Sequence, residues 1–209
     1  MSELRECAQC GAPFVPRREH ARFCSTACRM TWNAERNGPD TAPLVAIDWS
    51  VSALIESAGR FAWAGSWDLS RAAVAASETV WWITLLDATL VRYHRQDYEA
   101  TLTAEPSDER RMTEETLAGL RFVRNRLGLS VEPSTFIHSV RDEADWAWTP
   151  QPEPSLEQRP DTSRDWEMSR YRSYQVRLAG RNVAVSFDRC TAFLEQVATV
   201  VSAAENAAR

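Results

Sequence analysis

After residue 47 the apolar residues recur at three- and four-residue spacing almost to the end of the chain, which is the period of helices with one buried face. Ser50 predicts a cap for a first helix with Val51, Leu54, Ile55, Ala58 and Phe61 on one stripe. Ser70 predicts the start of a long second helix to about His94, with Val80, Ile83, Leu86 and Leu90 facing inward. A third helix is expected from Thr113, with Glu114 and Glu115 at its positive end. It carries Leu117, Leu120, Val123 and Leu127, and Gly128 is its expected stop. Four prolines between 149 and 163 predict a loop. A fourth helix is expected over about 164–179, ended by Gly180, and a fifth over about 187–205 with Phe187, Cys190, Leu194, Val197 and Val201 on its seam.

Strand signals are weak apart from a hairpin expected inside the cysteine-rich start. The expected organisation is a small metal-binding unit at 1–36, a linker at 37–47, and an α-helical bundle of four or five helices at 48–209 with a Pro-rich loop at about 146–163.

Composition narrows the partners. The 209 residues carry 24 basic and 29 acidic side chains, for a net charge of −5. Every basic residue is Arg, which together with abundant Ala looks like GC-rich bacterial coding. The first forty residues are slightly positive and the remainder is acidic, so a broad electrostatic grip on nucleic acid is not expected. Cys7 and Cys10 fall where a signal peptide would need an apolar core. The longest apolar run, Val80 to Val91, is broken by Thr84, Asp87 and Thr89, so no membrane span is expected. We expect a cytoplasmic protein, where cysteine clusters favour metal thiolates over disulfides.

Four of the five cysteines lie in "CAQCGAPFVPRREHARFCSTACRMTWNAER", positions 7 to 36, as Cys-x-x-Cys followed by Cys-x-x-x-Cys. Cys7, Cys10, Cys24 and Cys28 are the expected ligands of one structural Zn²⁺. Cys-x-x-Cys makes a tight knuckle, and Gly11 frees the backbone after it. Ser25 is the expected cap of a helix that carries the second pair. Phe14, Phe23 and Trp32 are the expected apolar cluster. The alternatives are a redox dithiol at Cys7 and Cys10, or His20 in place of one cysteine. Four thiolates leave no open position for catalysis. Arg17, Arg18, Arg22, Arg29 and Arg36, against Glu19 and Glu35, almost balance the charge of a zinc tetrathiolate.

The pattern CxxCGxxFxP…RFCSxxCRxxW resembles the treble-clef zinc fingers with an FCS signature, in which a knuckle and hairpin lead to a ligand-bearing helix. The resemblance implies zinc and leaves the role open among binding nucleic acid, binding protein and stabilisation alone. Further on, "GLRFVRNRLG" at 119–128 resembles the Arg-Asn start of the signature in HEPN domains. That resemblance implies an all-helical nucleotide- or RNA-binding fold, with Arg124 and Asn125 at the motif positions. The family's His, due four to six residues later, is absent here, and the nearest is His138 beyond Pro133.

Helical phase singles out the same region independently. Asp87 and His94 fall on the inward stripe of the long helix, and Arg124 on that of the next. Charges inside a bundle must be paired, so Asp87 and Arg124 are expected to meet across the two helices. Cys190 is expected to be a buried apolar thiol. Trp146 and Trp148 are expected to pin the Pro-rich loop, or else to offer a stacking surface.

Three functions remain open on this reading. The first is a non-catalytic adaptor whose finger contacts a protein or nucleic acid. The second is a metal-independent ribonuclease using Arg124, Asn125, Asp87 and His94. The third is a nucleotide or small-ligand sensor built on the same groups. Oligomeric state is open, a homodimer included.

Overall fold

In the computed structural model, residues 4–16, 21–37, 44–64, 68–127, 135–140, 145–154 and 161–207 are described. The expectations for Arg17, Arg18, Glu19, His20, Gly128, Pro133, most of the linker and the centre of the Pro-rich loop lie outside them, as do the side chains of Glu35 and Arg36. The chain divides into two compact units, Met1–Ala42 and Pro43–Arg209. It is mostly helical, with a small two-stranded hairpin beside the cysteine cluster.

In the first unit, β1 (Arg5–Glu6) pairs antiparallel with β2 (Pro13–Phe14), and α1 follows at Thr26–Asn37. In the second, six helices are described: α2 (Leu44–Trp63), α3 (Leu69–Tyr93), α4 (Arg95–Ala104), α5 (Ser107–Leu127), α6 (Asp161–Arg177) and α7 (Val183–Ala207). The short α4, which periodicity did not separate, arises because the chain kinks at His94, whose N–H still donates to Leu90 O at 2.8 Å. Between α5 and α6 lies a second hairpin, β3 (Ile137–Ser139) with β4 (Trp146–Trp148).

Local chemistry moves several helix starts from their expected places. Asp68, not Ser70, caps α3, its carboxylate accepting from Arg71 N at 3.0 Å. Ser50 sits inside α2, and Ile55 points outward, while Ile47, Leu54 and Phe61 face the core. Helix α5 begins at Ser107, where Asp108 and Glu109 meet the positive end of the helix, so Thr113 is an interior, buried residue. Asn182 caps α7 through Ala184 N at 2.8 Å, four residues before the expected start. Gly180, at φ +71°, turns the chain out of α6, a conformation that costs glycine nothing.

Helix α3 is central to the core. By length and a mean hydropathy of 1.2 it could also cross a bilayer, but half of that window is buried inside the unit. Its Ala72, Ala76, Val80, Ile83, Leu86 and Leu90 join one apolar cluster with Leu117 and Leu120 of α5 and Phe187, Cys190 and Leu194 of α7. Trp146 and Trp148 are buried strand residues. Trp148 Nε1 donates to Ser186 Oγ at 3.2 Å, and its N–H to Arg181 O at 2.9 Å. Burial, at 5% exposure for Trp146 and 1% for Trp148, removes both from any stacking surface.

Helices α5 and α6 approach each other closely at Gly119. A Cβ there would lie 2.6 Å from Leu178 Cδ1 and 3.2 Å from the Tyr174 Cα. Gly59, inside α2, has nothing within 4 Å of the same position. Gly119→Ala should therefore destabilise the bundle by about 1–3 kcal/mol through overpacking. Gly59→Ala should stabilise it by about 0.5–1 kcal/mol through helix propensity. Urea denaturation of the two variants checks this through their opposite midpoint shifts.

Candidate metal centre

The hairpin ends in the first pair of cysteines. Cys7 N donates back to Ala12 O at 3.0 Å and Gly11 N to Cys7 O at 2.9 Å, which closes the knuckle. Gly11 has φ +71°, the left-handed conformation this turn needs. Ala8 N reaches Arg22 O at 2.9 Å, which ties the knuckle to the strand of chain leading to the second pair.

Ser25 Oγ accepts from Cys28 N at 3.1 Å, so Ser25 caps α1 as expected. Cys28 lies in the first turn of that helix, while Cys24 precedes the cap. The four Sγ atoms all lie within 4.8 Å of one another. Cys24 Sγ is 3.5 Å from Cys28 Sγ and 3.7 Å from Cys10 Sγ, and Cys24 N–H points at Cys7 Sγ at 3.3 Å. Four soft donors converging on one point can hold a metal ion.

The electrostatics favour a thiolate at Cys7 and oppose one at Cys24. Burial pushes the Cys7 thiol up, but N–H groups of Cys10, Cys24 and Gln9 outweigh it and bring it down to about 6. Cys24 is pushed up to about 12, chiefly by hydrogen bonds with the thiols of Cys28, Cys7 and Cys10. Crowded thiols resist losing all their protons together, and a cation among them removes that resistance. Beside the cluster, Phe23 and Trp32 stack at 5.4 Å, and the Arg22 guanidinium lies over both rings, 4.9 Å from Trp32. Phe14 is half-buried in β2.

The residues expected to form a second site are not brought together. Asp87 is fully buried, but its partner is Arg121, one helical turn before Arg124. Arg121 Nε donates to Asp87 Oδ2 at 2.9 Å, Arg121 Nη2 makes a second bond to the same oxygen, and Tyr98 OH donates to Oδ1 at 2.8 Å. Arg124 instead lies over Trp81, 4.6 Å from the ring centroid. Asp87 beside Arg121 and Trp81 beside Arg124 show that α3 and α5 run antiparallel. Arg124 is half-buried rather than in the core, and the arginine that reaches Asp87 stands one turn, about 4.5 Å, earlier on the helix. Asn125 is exposed. His94 stands at the junction of α3 and α4, and its Nε2 is buried with no hydrogen-bond partner among the described residues.

Two members of this cluster, Tyr98 and Arg170, were missed, because helical phase on one element says nothing of the next. Burial pushes the Tyr98 hydroxyl up, helped by the Asp87 charge and hydrogen bond, so it remains a donor. Arg170, stacked over Trp166, is held down to about 10 by burial and by Arg121 and Arg124, against Asp87. Cys190 is fully buried, and burial raises its thiol as expected of an inert core residue. The three described cavities are lined by other residues than Asp87, His94 and Arg124.

No family model, no curated protein and no solved structure matches this chain.

Proposed function

We propose that the protein is a cytoplasmic zinc-binding adaptor, in which residues 7–36 form a treble-clef finger of the FCS kind and the helical unit has no catalytic role. The observation that carries this reading is the convergence of four cysteine Sγ atoms within 4.8 Å. A tetrahedral zinc site with Zn–S bonds of about 2.3 Å has sulfur–sulfur edges of about 3.8 Å. The Cys24–Cys28 and Cys24–Cys10 separations of 3.5 and 3.7 Å lie close to that edge. Hairpin, knuckle and capped helix follow one another in the order such fingers use.

The partner we favour is a protein. The chain is acidic overall, and nothing in its −5 net charge supplies a broad phosphate-binding face. Arg22 is engaged over Phe23 and Trp32. Titration with duplex DNA and with single-stranded RNA across a salt series tests this choice. We expect affinities in the non-specific range of about 10⁻⁴–10⁻⁶ M, with a log–log salt slope of only one or two contacts at about −0.9 each on duplex DNA. Nanomolar binding at physiological salt, with a slope of many contacts, would assign the finger to nucleic acid instead.

A further inference from the structure

One face of the α2–α3 hairpin exposes an unusual amount of indole. Trp49 is 61% exposed, Trp63 90% and Trp81 50%, with Val74 beside them at 58%. On a scale of ~250 Å² per tryptophan, the three indoles alone present about 500 Å². That is at the upper end of the largest apolar patch on an ordinary monomer, and with Val74 it supplies about three quarters of the ~800 Å² each partner contributes to a standard interface, the polar centre of the face supplying the rest.

The middle of the face is polar and balanced. Arg60 binds Glu56 at 2.7 Å and Glu78 of the facing helix at 2.5 Å. On either side of this bridge lies a groove. One, of about 510 Å³, is lined by Trp63, Ala64, Val74 and Ala75, and the other, of about 620 Å³, by Trp49, Ala53, Trp81 and Trp82.

We propose that this face binds a second copy of the same chain. Three features select a copy over an unrelated partner. Projecting knobs and receiving grooves occur on one surface, which is the condition for an isologous contact. The charges along its centre, Arg60 and Arg71 against Glu56 and Glu78, sum to zero, so no net repulsion opposes self-association. The pattern is also complementary to itself. A two-fold axis along the hairpin lays α2 of each copy over α3 of the other. Because Arg60 and Glu78 stand at the same level, each Arg60 then faces the partner's Glu78. Trp63 lies three residues, about 4.5 Å, further along α2, level with Val74 and Ala75 on the antiparallel α3. Each Trp63 therefore enters the partner's groove at Val74 and Ala75, a desolvated aromatic anchor of the kind that dominates interface energies.

Sedimentation velocity on the full zinc-loaded chain over a concentration series tests this directly. The expected result is a species of twice the 23.7 kDa chain mass at micromolar concentration. Trp63→Glu and Val74→Glu, both at exposed positions, should each weaken it at least about thirty-fold, and Val176→Glu, on exposed α6 surface, should leave it unchanged. At 90% exposure Trp63 is not part of the core, so circular dichroism of Trp63→Glu should match the parent. Arg60→Glu alone should weaken the dimer, and adding Glu78→Arg should restore it. A chain that stays monomeric on the order of 100 µM overturns the proposal. So does a dimer that survives both Trp63→Glu and Val74→Glu, or one that is lost only on chelation, which would place the contact on the finger.

Discussion

Stripping the metal should unfold residues 7–36 and leave residues 44–207 folded. Among the described residues of the first unit only Cys7 is buried, and its rings are Phe14, Phe23 and Trp32. So small an apolar store does not hold a hairpin and a helix together without a staple. Zinc binding to such peptides is worth about 10–16 kcal/mol, all of it folding free energy when the site does not exist in the unfolded chain. The second unit holds its own core from Ile47 to Val201 and owes nothing to the metal. Hydrogen exchange read by mass spectrometry separates the two. With chelator, or in a Cys24→Ser variant, α1 should lose its protection while α3, α5 and α7 keep theirs. Loss of protection in both units together would show that the bundle depends on the finger.

Removing Asp87 or Arg121 should be the most damaging single change in the bundle. The Asp87 carboxylate is completely buried and is held by Tyr98 and by two bonds from Arg121. Asp87→Ala strands a phenol and a guanidinium, and breaking a buried pair costs about 3–5 kcal/mol. For a unit of this size that lowers Tm by roughly 6–20 °C. Among the described residues Arg124→Ala loses the contact with Trp81, worth about 0.5–1 kcal/mol at a partly exposed site. Replacing the whole cluster, as Asp87→Leu with Tyr98→Phe and Arg121→Met, should cost far less than Asp87→Ala, because no polar group is left unpaired. Thermal unfolding of the four variants decides between Arg121 and Arg124. Equal losses for Arg121→Ala and Arg124→Ala would mean that the pairing has been misassigned.

The sequence made the helical class and the four-cysteine cluster legible for the same reason: both are short-range patterns. Cysteine spacing dictates a knuckle, and Ser25 caps α1 because the cap bond spans only three residues. What local patterns could not show is level. Arg124 shares the stripe of Leu117 and Leu120 in the sequence, yet only the relative shift of α3 and α5 decides that Asp87 meets Arg121. The β3–β4 hairpin was hidden for a related reason. Its strands are three residues each, too short to display alternation, and β4 is held by partners in the 179–182 turn, more than thirty residues later in the chain. Helix starts drifted where a better cap stood nearby, as Asp68 did beside Ser70.

The central claim is that Cys7, Cys10, Cys24 and Cys28 hold one zinc ion. Elemental analysis of protein purified without chelator or added metal, with thiol titration of the same sample, tests it most directly. The account predicts one zinc per chain, a content that drops when Cys24 is replaced by Ser. Protein free of metal, with Cys7 and Cys10 joined as a disulfide, would contradict it.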